Sequence, residues 1–115
     1  LLVPLPARAQ MHRNFPATAL RGAILFSDPP DIFLNGKAAR LSPGARIRGL
    51  DNMLQLPGSI RGTKFVVDYT LESNGLVHEV WLLTPPEATV QPWPVTPQQA
   101  ATWSFDYPSQ TWTVR

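Results

Sequence analysis

Two carboxylates on neighbouring predicted strands are the residues best spaced for catalysis. Asp68 lies in KFVVDYTLE and Glu79 in LVHEVWLLT, and a turn at Asn74-Gly75 would make these segments antiparallel. In that register the two carboxylates are diagonal neighbours on one face of the sheet. Such a pair could share general acid and base work, as in glycoside hydrolysis. Other polar residues of KFVVDYTLE alternate onto the same face, which is typical of a solvated surface, so a small hydrolase is the weakest of our hypotheses.

The sequence contains no second arrangement of residues typical of catalysis or of metal binding. His12 and His78 are far apart, and the carboxylates near His78 in sequence point to the other face of its predicted strand, so a set of metal ligands does not converge. The chain has no cysteine, no nucleophile elbow and no glycine-rich phosphate loop. We therefore predict a protein without catalytic residues, metal or cofactor.

Arginine recurs in a short motif that could hold an anion. The tripeptide Ile-Arg-Gly occurs twice, and its arginines are Arg48 and Arg61. In a strand, Arg46 and Arg48 point the same way about 6.6 Å apart, while the isoleucine between them points inward. The glycine permits a bend where a barrel strand turns. Solvated strand faces are the simpler interpretation, but together with Arg40 these side chains could form a basic strip that binds phosphate, sulfate or an acidic chain.

The charge of the chain is unevenly distributed. Residues 35–64 carry six lysines and arginines against one aspartate, whereas residues 65–115 carry five carboxylates against one arginine. The formal net charge is only +2. The three guanidinium groups of Arg46, Arg48 and Arg61 suffice for a weak anion site. They are few for a nucleic-acid site, which usually makes six or more phosphate contacts. The expected partner is an acidic protein or an envelope polymer rather than nucleic acid, and the sequence leaves the oligomeric state open.

Aromatic residues crowd the C-terminal segment. Residues 85–115 contain three of the four tryptophans and six of the thirteen prolines. These aromatic side chains either lay the segment across the rest of the fold as a lid, or form an exposed platform for a peptide or sugar ring. The lid is the preferred interpretation, and the platform would make the protein an exported carbohydrate-binding module. The candidate platform residues are Trp93, Trp103, Tyr107 and Trp112.

The N-terminal residues have the form of the end of a secretory signal peptide. Residues 1–9, LLVPLPARA, are apolar and end in the A-x-A pattern that signal peptidase reads, with cleavage expected between Ala9 and Gln10. We therefore predict a periplasmic or secreted protein, in which residues 10–19 form a flexible lead-in. The sequence has no run of 18 apolar residues, so a membrane span is not expected.

Short strands separated by turns are predicted from residue 20 onward. The first is LRGAILF (20–26), and Asn35-Gly36 supplies the two positive-φ residues of a type I′ hairpin turn within DIFLNGKAARL. Further turns are predicted at SPG (42–44) and PG (57–58), with strands at 45–49 and 52–56.

The segments on either side of Asn74-Gly75 alternate most regularly. With a two-residue loop, Tyr69 lies opposite Val80, and one apolar face continues across both strands. Trp81 belongs to a second apolar set on the opposite face, which predicts that another part of the protein covers this sheet from outside.

The C-terminal segment is predicted to contain one short helix. PPEATVQPWPVTP should be extended, polyproline-like chain. Thr96 can then cap a helix that starts at Pro97, with Gln99 completing a capping box, and this helix should end by Trp103. The final TWTVR could add one edge strand.

These elements predict an all-β fold. Six or so short strands favour a small antiparallel β-barrel of SH3-like or OB-like size over residues 20–84, followed by a Pro/Trp-rich C-terminal extension, residues 85–115, that packs on it.

One block of the chain, residues 32–87, also resembles a known group of sequences. The shared residues are Asn35-Gly36-Lys37, Leu41, Pro43-Gly44, Arg46-Ile47-Arg48, Asn52-Met53 and Val80-Trp81-Leu82-Leu83-Thr84. On these residues the block resembles a group of small exported bacterial proteins of uncharacterised function. The resemblance implies export and a small β domain, and it carries over no catalytic or binding residues.

Overall fold

A computed structural model describes residues 13–115, and its main element is a closed five-stranded barrel. The strands in chain order are β1 (Leu20–Phe26), β2 (Asp31–Leu34), β3 (Lys37–Arg48), β4 (Leu54–Gln55), β5 (Lys64–Leu71) and β6 (Val77–Leu82). A short 3₁₀ helix, Pro57–Ile60, separates β4 from β5. The small all-β barrel predicted from the sequence is thereby confirmed.

Five of these strands close the barrel. β1 pairs antiparallel with β2 and with β5, β2 pairs with β3, and β5 pairs with β6. The ring closes where β3 runs parallel to β6, while β4 extends the sheet beside the end of β3. The resulting order, β1-β2-β3-β6-β5, is that of a Greek-key barrel of the OB type.

The long strand β3 runs through residues 42–44, where a turn between two separate strands was predicted. Its first four residues pair with β2, and from Leu41 onward it pairs with β6, with a register shift between Leu41 and Arg46. The turn predicted at residues 42–44 is therefore wrong, because the proline and glycine lie where the ladder is interrupted and bend the strand without ending it. Residues 57–58 likewise begin the 3₁₀ helix instead of forming a type II turn.

Both Asn-Gly sequences lie at reversals of the chain. Asn35 and Gly36 have φ of 54° and 81°, as the predicted type I′ turn requires. Tyr69 lies opposite Val80, as predicted, but the second loop is longer by one residue and has its positive φ only at Gly75. A bulge between the loop and the Tyr69–Val80 pair then restores the expected register.

Two hydrophobic clusters lie on opposite sides of the barrel wall. The first fills the barrel, and its most buried members are Ile24, Phe26, Ile32, Ile47, Val67, Val77 and Val80. The second lies outside β5 and β6 and comprises Phe15, Ala19, Trp81, Leu83, Trp93 and Trp112. The C-terminal segment thus covers the outward apolar face of which Trp81 is part.

The C-terminal segment has more regular structure than predicted. It contains α1 (Pro85–Ala88), α2 (Pro97–Thr102), β7 (Ser104–Asp106) and β8 (Thr111–Thr113). The predicted capping box of Thr96 and Gln99 starts α2. Residues 85–88, predicted as extended chain, form α1 because Thr84 and Glu87 make a second capping box. β8 pairs with β7 rather than with an edge of the barrel.

Residues 13–19 are packed, although the sequence predicted a flexible lead-in. Arg13, Phe15 and Ala19 are buried against the barrel and the C-terminal segment. The predicted signal-peptide remnant and residues 10–12 lie outside the described residues. Within residues 13–115, none of the helices has the length and apolar character needed to cross a membrane.

Candidate functional site

The four arginines of the predicted basic strip lie in two separate places. Arg40 pairs with Asp31 and Arg61 pairs with Asp28, each with a nitrogen–oxygen distance of 3.1 Å and both exposed to solvent. These two arginines therefore flank the loop between β1 and β2. Arg46 and Arg48 lie at the other end of β3, roughly 20 Å further along an extended chain. The structure splits the strip into two pairs.

Arg46 and Arg48 share the outer face of the sheet with exposed aliphatic side chains. The isoleucine between them is buried in the barrel, as the alternation predicts. Arg48 lies directly opposite Leu54 of β4. Continued by one residue beyond β4, the same antiparallel register would put Leu56 opposite Arg46. Leu54 is 62% exposed and Leu56 77%. We name this surface, formed by Arg46, Arg48, Leu54 and Leu56, the Arg-Leu face.

The turn behind the Arg-Leu face is held by its own hydrogen bonds. The Gly49 N–H donates to the Met53 carbonyl over 2.8 Å, and the Asn52 N–H donates to the Gly49 carbonyl over 2.9 Å. Asp51 accepts from the Met53 N–H, and the Arg48 guanidinium donates to the Asn52 carbonyl. These bonds hold the turn in place, and the apolar side chains of Leu50, Met53 and Leu54 in and after it are exposed to solvent.

Neither arginine of the Arg-Leu face forms an ion pair with a residue in the described part of the chain. Arg46 lies beside Glu79 in the β3–β6 register, yet its guanidinium forms no ion pair with any residue from 13 to 115. Large aliphatic side chains that stay exposed next to such cations are a common feature of surfaces that bind other macromolecules.

A second arginine pair, which the sequence did not point to, lies under the C-terminal segment. Arg13 donates to both oxygens of Glu87, with 2.9 Å between Nε and Oε2. It also donates to the carbonyls of Gly49 over 2.9 Å and Leu82 over 2.7 Å. Burial pushes the pKa of Glu87 up, but the hydrogen bonds from Arg13 and Thr84 outweigh burial and hold that pKa below its usual value.

Arg21 makes the corresponding bridge to β5. Its Nε lies 2.7 Å from Oδ1 of Asp68, and its Nη1 donates to the Val90 carbonyl over 2.9 Å. The guanidinium also lies 4.9 Å from the centre of the Trp93 ring, within range of a cation–π contact. Burial raises the pKa of Asp68 more than the hydrogen bond from Arg21 lowers it.

The two carboxylates of the predicted catalytic pair lie in different surroundings. Asp68 is 0% exposed, and its carboxylate is bonded to Arg21. Glu79 is diagonal to it, as the register predicts, and half-buried. The solvated face expected around Asp68 is wrong because the C-terminal segment covers it, a contact between residues far apart in the chain that strand alternation does not reveal.

The predicted aromatic platform is divided between the interior and the surface. Trp93 and Trp112 are each 5% exposed and belong to the second cluster, where Trp112 stacks on Phe105 at 4.6 Å between ring centres. Trp103 is half-buried, and Tyr107 is exposed. Since both buried indoles are part of the packing, the four residues do not form a continuous stacking surface.

The buried arginine network was missed for an identifiable reason. Arg13 stands in a segment without periodicity, and Arg21 lies in a strand where an outward arginine is ordinary. The one readable signal was the Thr84-x-x-Glu87 spacing of a capping box, which would have placed Glu87 at the start of a helix. Among residues 13–115, no group of three or more histidines or carboxylates is close enough together to hold a metal.

Comparisons with protein-family models, with curated proteins and with solved structures found no match for this chain.

Proposed function

We propose that the protein is a non-catalytic periplasmic or secreted β-barrel domain that binds an acidic protein through the Arg-Leu face. The observation that carries this proposal is the exposure of Leu54, directly opposite Arg48, and of Leu56, two residues further along the same chain segment. Export rests on the sequence of residues 1–9 and on the resemblance of residues 32–87 to small exported proteins.

The two residue types of this face supply complementary contributions to binding. Burying one leucine side chain completely is worth roughly 1.5–3 kcal/mol, part of which is spent on ordering the interface. Arg46 and Arg48 can each donate two parallel hydrogen bonds to a carboxylate, which orients the partner and speeds encounter. A partner that fits would present carboxylates around an apolar centre.

The fold provides a precedent by analogy. Barrels of the OB type commonly bind oligonucleotides or oligosaccharides on the face of the second and third barrel strands, and Arg46 and Arg48 lie on the outer surface of β3. The analogy therefore concerns the place of the site and not the class of ligand. A shared fold does not establish a shared function, so the weight of the proposal lies on the residues themselves.

The alternative functions have less support. A carbohydrate-binding module would need exposed rings, whereas Trp93 and Trp112 are inside the second cluster. A hydrolase built on Asp68 and Glu79 would need an accessible Asp68 carboxylate, and that carboxylate is paired with Arg21 beneath the C-terminal segment.

Affinity capture from the native envelope fraction, followed by titration of the identified partner in purified form, tests the proposal. One variant carries Arg46→Gln and Arg48→Gln, and a second carries Leu54→Ser and Leu56→Ser. The matched control carries Arg40→Gln and Arg61→Gln, which removes the same charge from the two arginines beside the loop between β1 and β2.

The Arg46/Arg48 and Leu54/Leu56 variants should each weaken binding at least about tenfold, and the control should bind like the wild type. Affinity should also fall as the salt concentration rises, because charge pairs at the rim are screened. Equal binding by the wild type and both test variants would refute the proposal.

A further inference from the structure

We propose that the cleft between the barrel and the C-terminal segment binds an uncharged, largely apolar small molecule. The cleft has a volume of about 410 Å³, within the range of small-molecule sites. The cleft shares no lining residue with the Arg-Leu face, and the inference does not depend on the proposed function.

The cleft is assembled from distant parts of the chain. Phe15 precedes β1, Leu50 follows β3, and Val90 and Trp93 follow α1, yet all four side chains line the same space. Leu50 and Val90 remain partly exposed at its edge. An apolar ligand that entered would remove these side chains from water, which is the main favourable contribution to binding in such a site.

The charges in the cleft wall point to an uncharged ligand. The two cations that line it are each paired with a carboxylate, Arg13 with Glu87 and Arg21 with Asp68. An anionic ligand would have to compete with those carboxylates for the guanidinium groups and would meet the negative charge of Glu87. A cationic ligand would meet two arginines. A neutral molecule avoids both costs.

The walls of the cleft are tied in place by hydrogen bonds. The Trp93 indole N–H donates to the Ala19 carbonyl over 3.0 Å. The Gln110 side chain accepts from the Phe15 N–H over 2.8 Å and donates back to the Phe15 carbonyl over 3.3 Å. Because the walls are fixed before a ligand arrives, less ordering is needed on binding.

The rim of the cleft also offers polar groups that could orient a ligand. Ser109 and Thr111, on either side of Gln110, line the cleft with hydroxyl groups 2.6 Å apart. The ligand class that fits is therefore a neutral apolar molecule with one or two hydrogen-bonding atoms.

The test compares two dyes that share one skeleton. N-phenyl-1-naphthylamine is uncharged, and 8-anilinonaphthalene-1-sulfonate carries one negative charge. Both are titrated into the full chain and followed by fluorescence. The uncharged dye should bind saturably at one site per chain and at least about tenfold more tightly than the sulfonate. Tighter binding of the sulfonate, or no saturable binding of the uncharged dye, would overturn the proposal.

Two matched pairs of variants locate the dye. Val90→Trp fills the cleft, whereas Val95→Trp adds the same ring at an exposed position that does not line it. Thr111→Trp and Thr113→Trp form the second pair on β8. The first member of each pair should lose at least about tenfold in dye affinity and the second should not.

Thermal unfolding shows which of these variants fold. Because the two pairs lie on different segments, one folded pair is sufficient for the comparison. Equal losses within a folded pair would place the dye elsewhere and reject the site.

Discussion

Asp68 on β5 is fully buried, and its carboxylate lies 2.7 Å from Nε of Arg21 on the neighbouring strand β1. The same guanidinium donates to the Val90 carbonyl beyond α1, so one side chain joins two barrel strands to the C-terminal segment. The pair is thus a structural link, and Arg21 with its counter-ion forms part of one wall of the cleft.

Replacing Asp68 by Ala should destabilise the protein markedly. The change leaves the largely buried Arg21 guanidinium without the acceptor of its hydrogen bonds, and removing one partner of a buried pair in this way costs about 3 kcal/mol or more in the free energy of unfolding. Urea denaturation measures the loss. The matched control is Asp31→Ala, which breaks the exposed pair with Arg40 and should cost less than about 1 kcal/mol. Equal losses in the two variants would contradict the assigned role.

Protonation of Glu87 should make the protein less stable in acid. Its pKa in the folded chain lies below the ordinary value of 4.5, so the unfolded chain takes up this proton first as the pH falls. The stability that Glu87 contributes is present above pH 4.5 and is lost as the pH falls through the folded-state pKa. Glu87→Gln should therefore be less stable than the wild type near neutral pH, while its free energy of unfolding falls less steeply below pH 4.5. Urea denaturation at a series of pH values gives both slopes.

Asp68 should make the opposite contribution to the pH dependence of stability. Its pKa is raised above the ordinary value of 3.8, so the folded chain takes up this proton before the unfolded chain does. Stability contributed by this group therefore increases as the pH falls from the raised pKa towards 3.8. Asp68→Asn removes that contribution, and its stability should fall more steeply than that of the wild type over the same pH range. A shallower slope would show that the pKa of Asp68 is not raised.

Gly22 should not tolerate a side chain. A Cβ at this position in β1 would lie 2.9 Å from Oδ1 of Asn35 and 3.1 Å from the ring of Tyr69. Asn35 is held by its bond to the Ala23 N–H, so Gly22→Ala should cost about 1–3 kcal/mol in thermal or urea unfolding. Gly44→Ala is the control, because a Cβ there meets nothing within 4 Å, and it should change stability by less than about 0.5 kcal/mol.

The two buried tryptophans should differ when each is replaced by phenylalanine. Trp93 donates its indole N–H to the Ala19 carbonyl, whereas the Trp112 indole N–H has no hydrogen-bond partner among residues 13–115. Trp93→Phe should therefore lower the free energy of unfolding by about 1–2 kcal/mol more than Trp112→Phe does, since it also leaves the buried Ala19 carbonyl without its donor. Chemical denaturation of both variants provides the comparison, and a larger loss from Trp112→Phe would reverse the assignment.

The structural features predicted correctly from the sequence are those whose signals lie within a few neighbouring residues. The positive φ values at Asn35-Gly36, the capping box at Thr96 and the opposition of Tyr69 and Val80 all followed from residue type and spacing. The alternation of apolar residues also predicted the small barrel. These features depend on backbone preferences and on the two-residue period of a strand, both of which are present in any short stretch of sequence.

Tertiary structure alone decided which polar residues are buried and which apolar residues are exposed. Asp68 looked like a solvated strand residue until the C-terminal segment was placed over it, and Arg13 looked like part of a loose segment until Glu87 was brought to it. The exposure of Leu54 and Leu56 was equally hidden, because β4 lies beside β3 outside the barrel ring. Burial depends on which distant segments pack together, and no local period in the sequence records that.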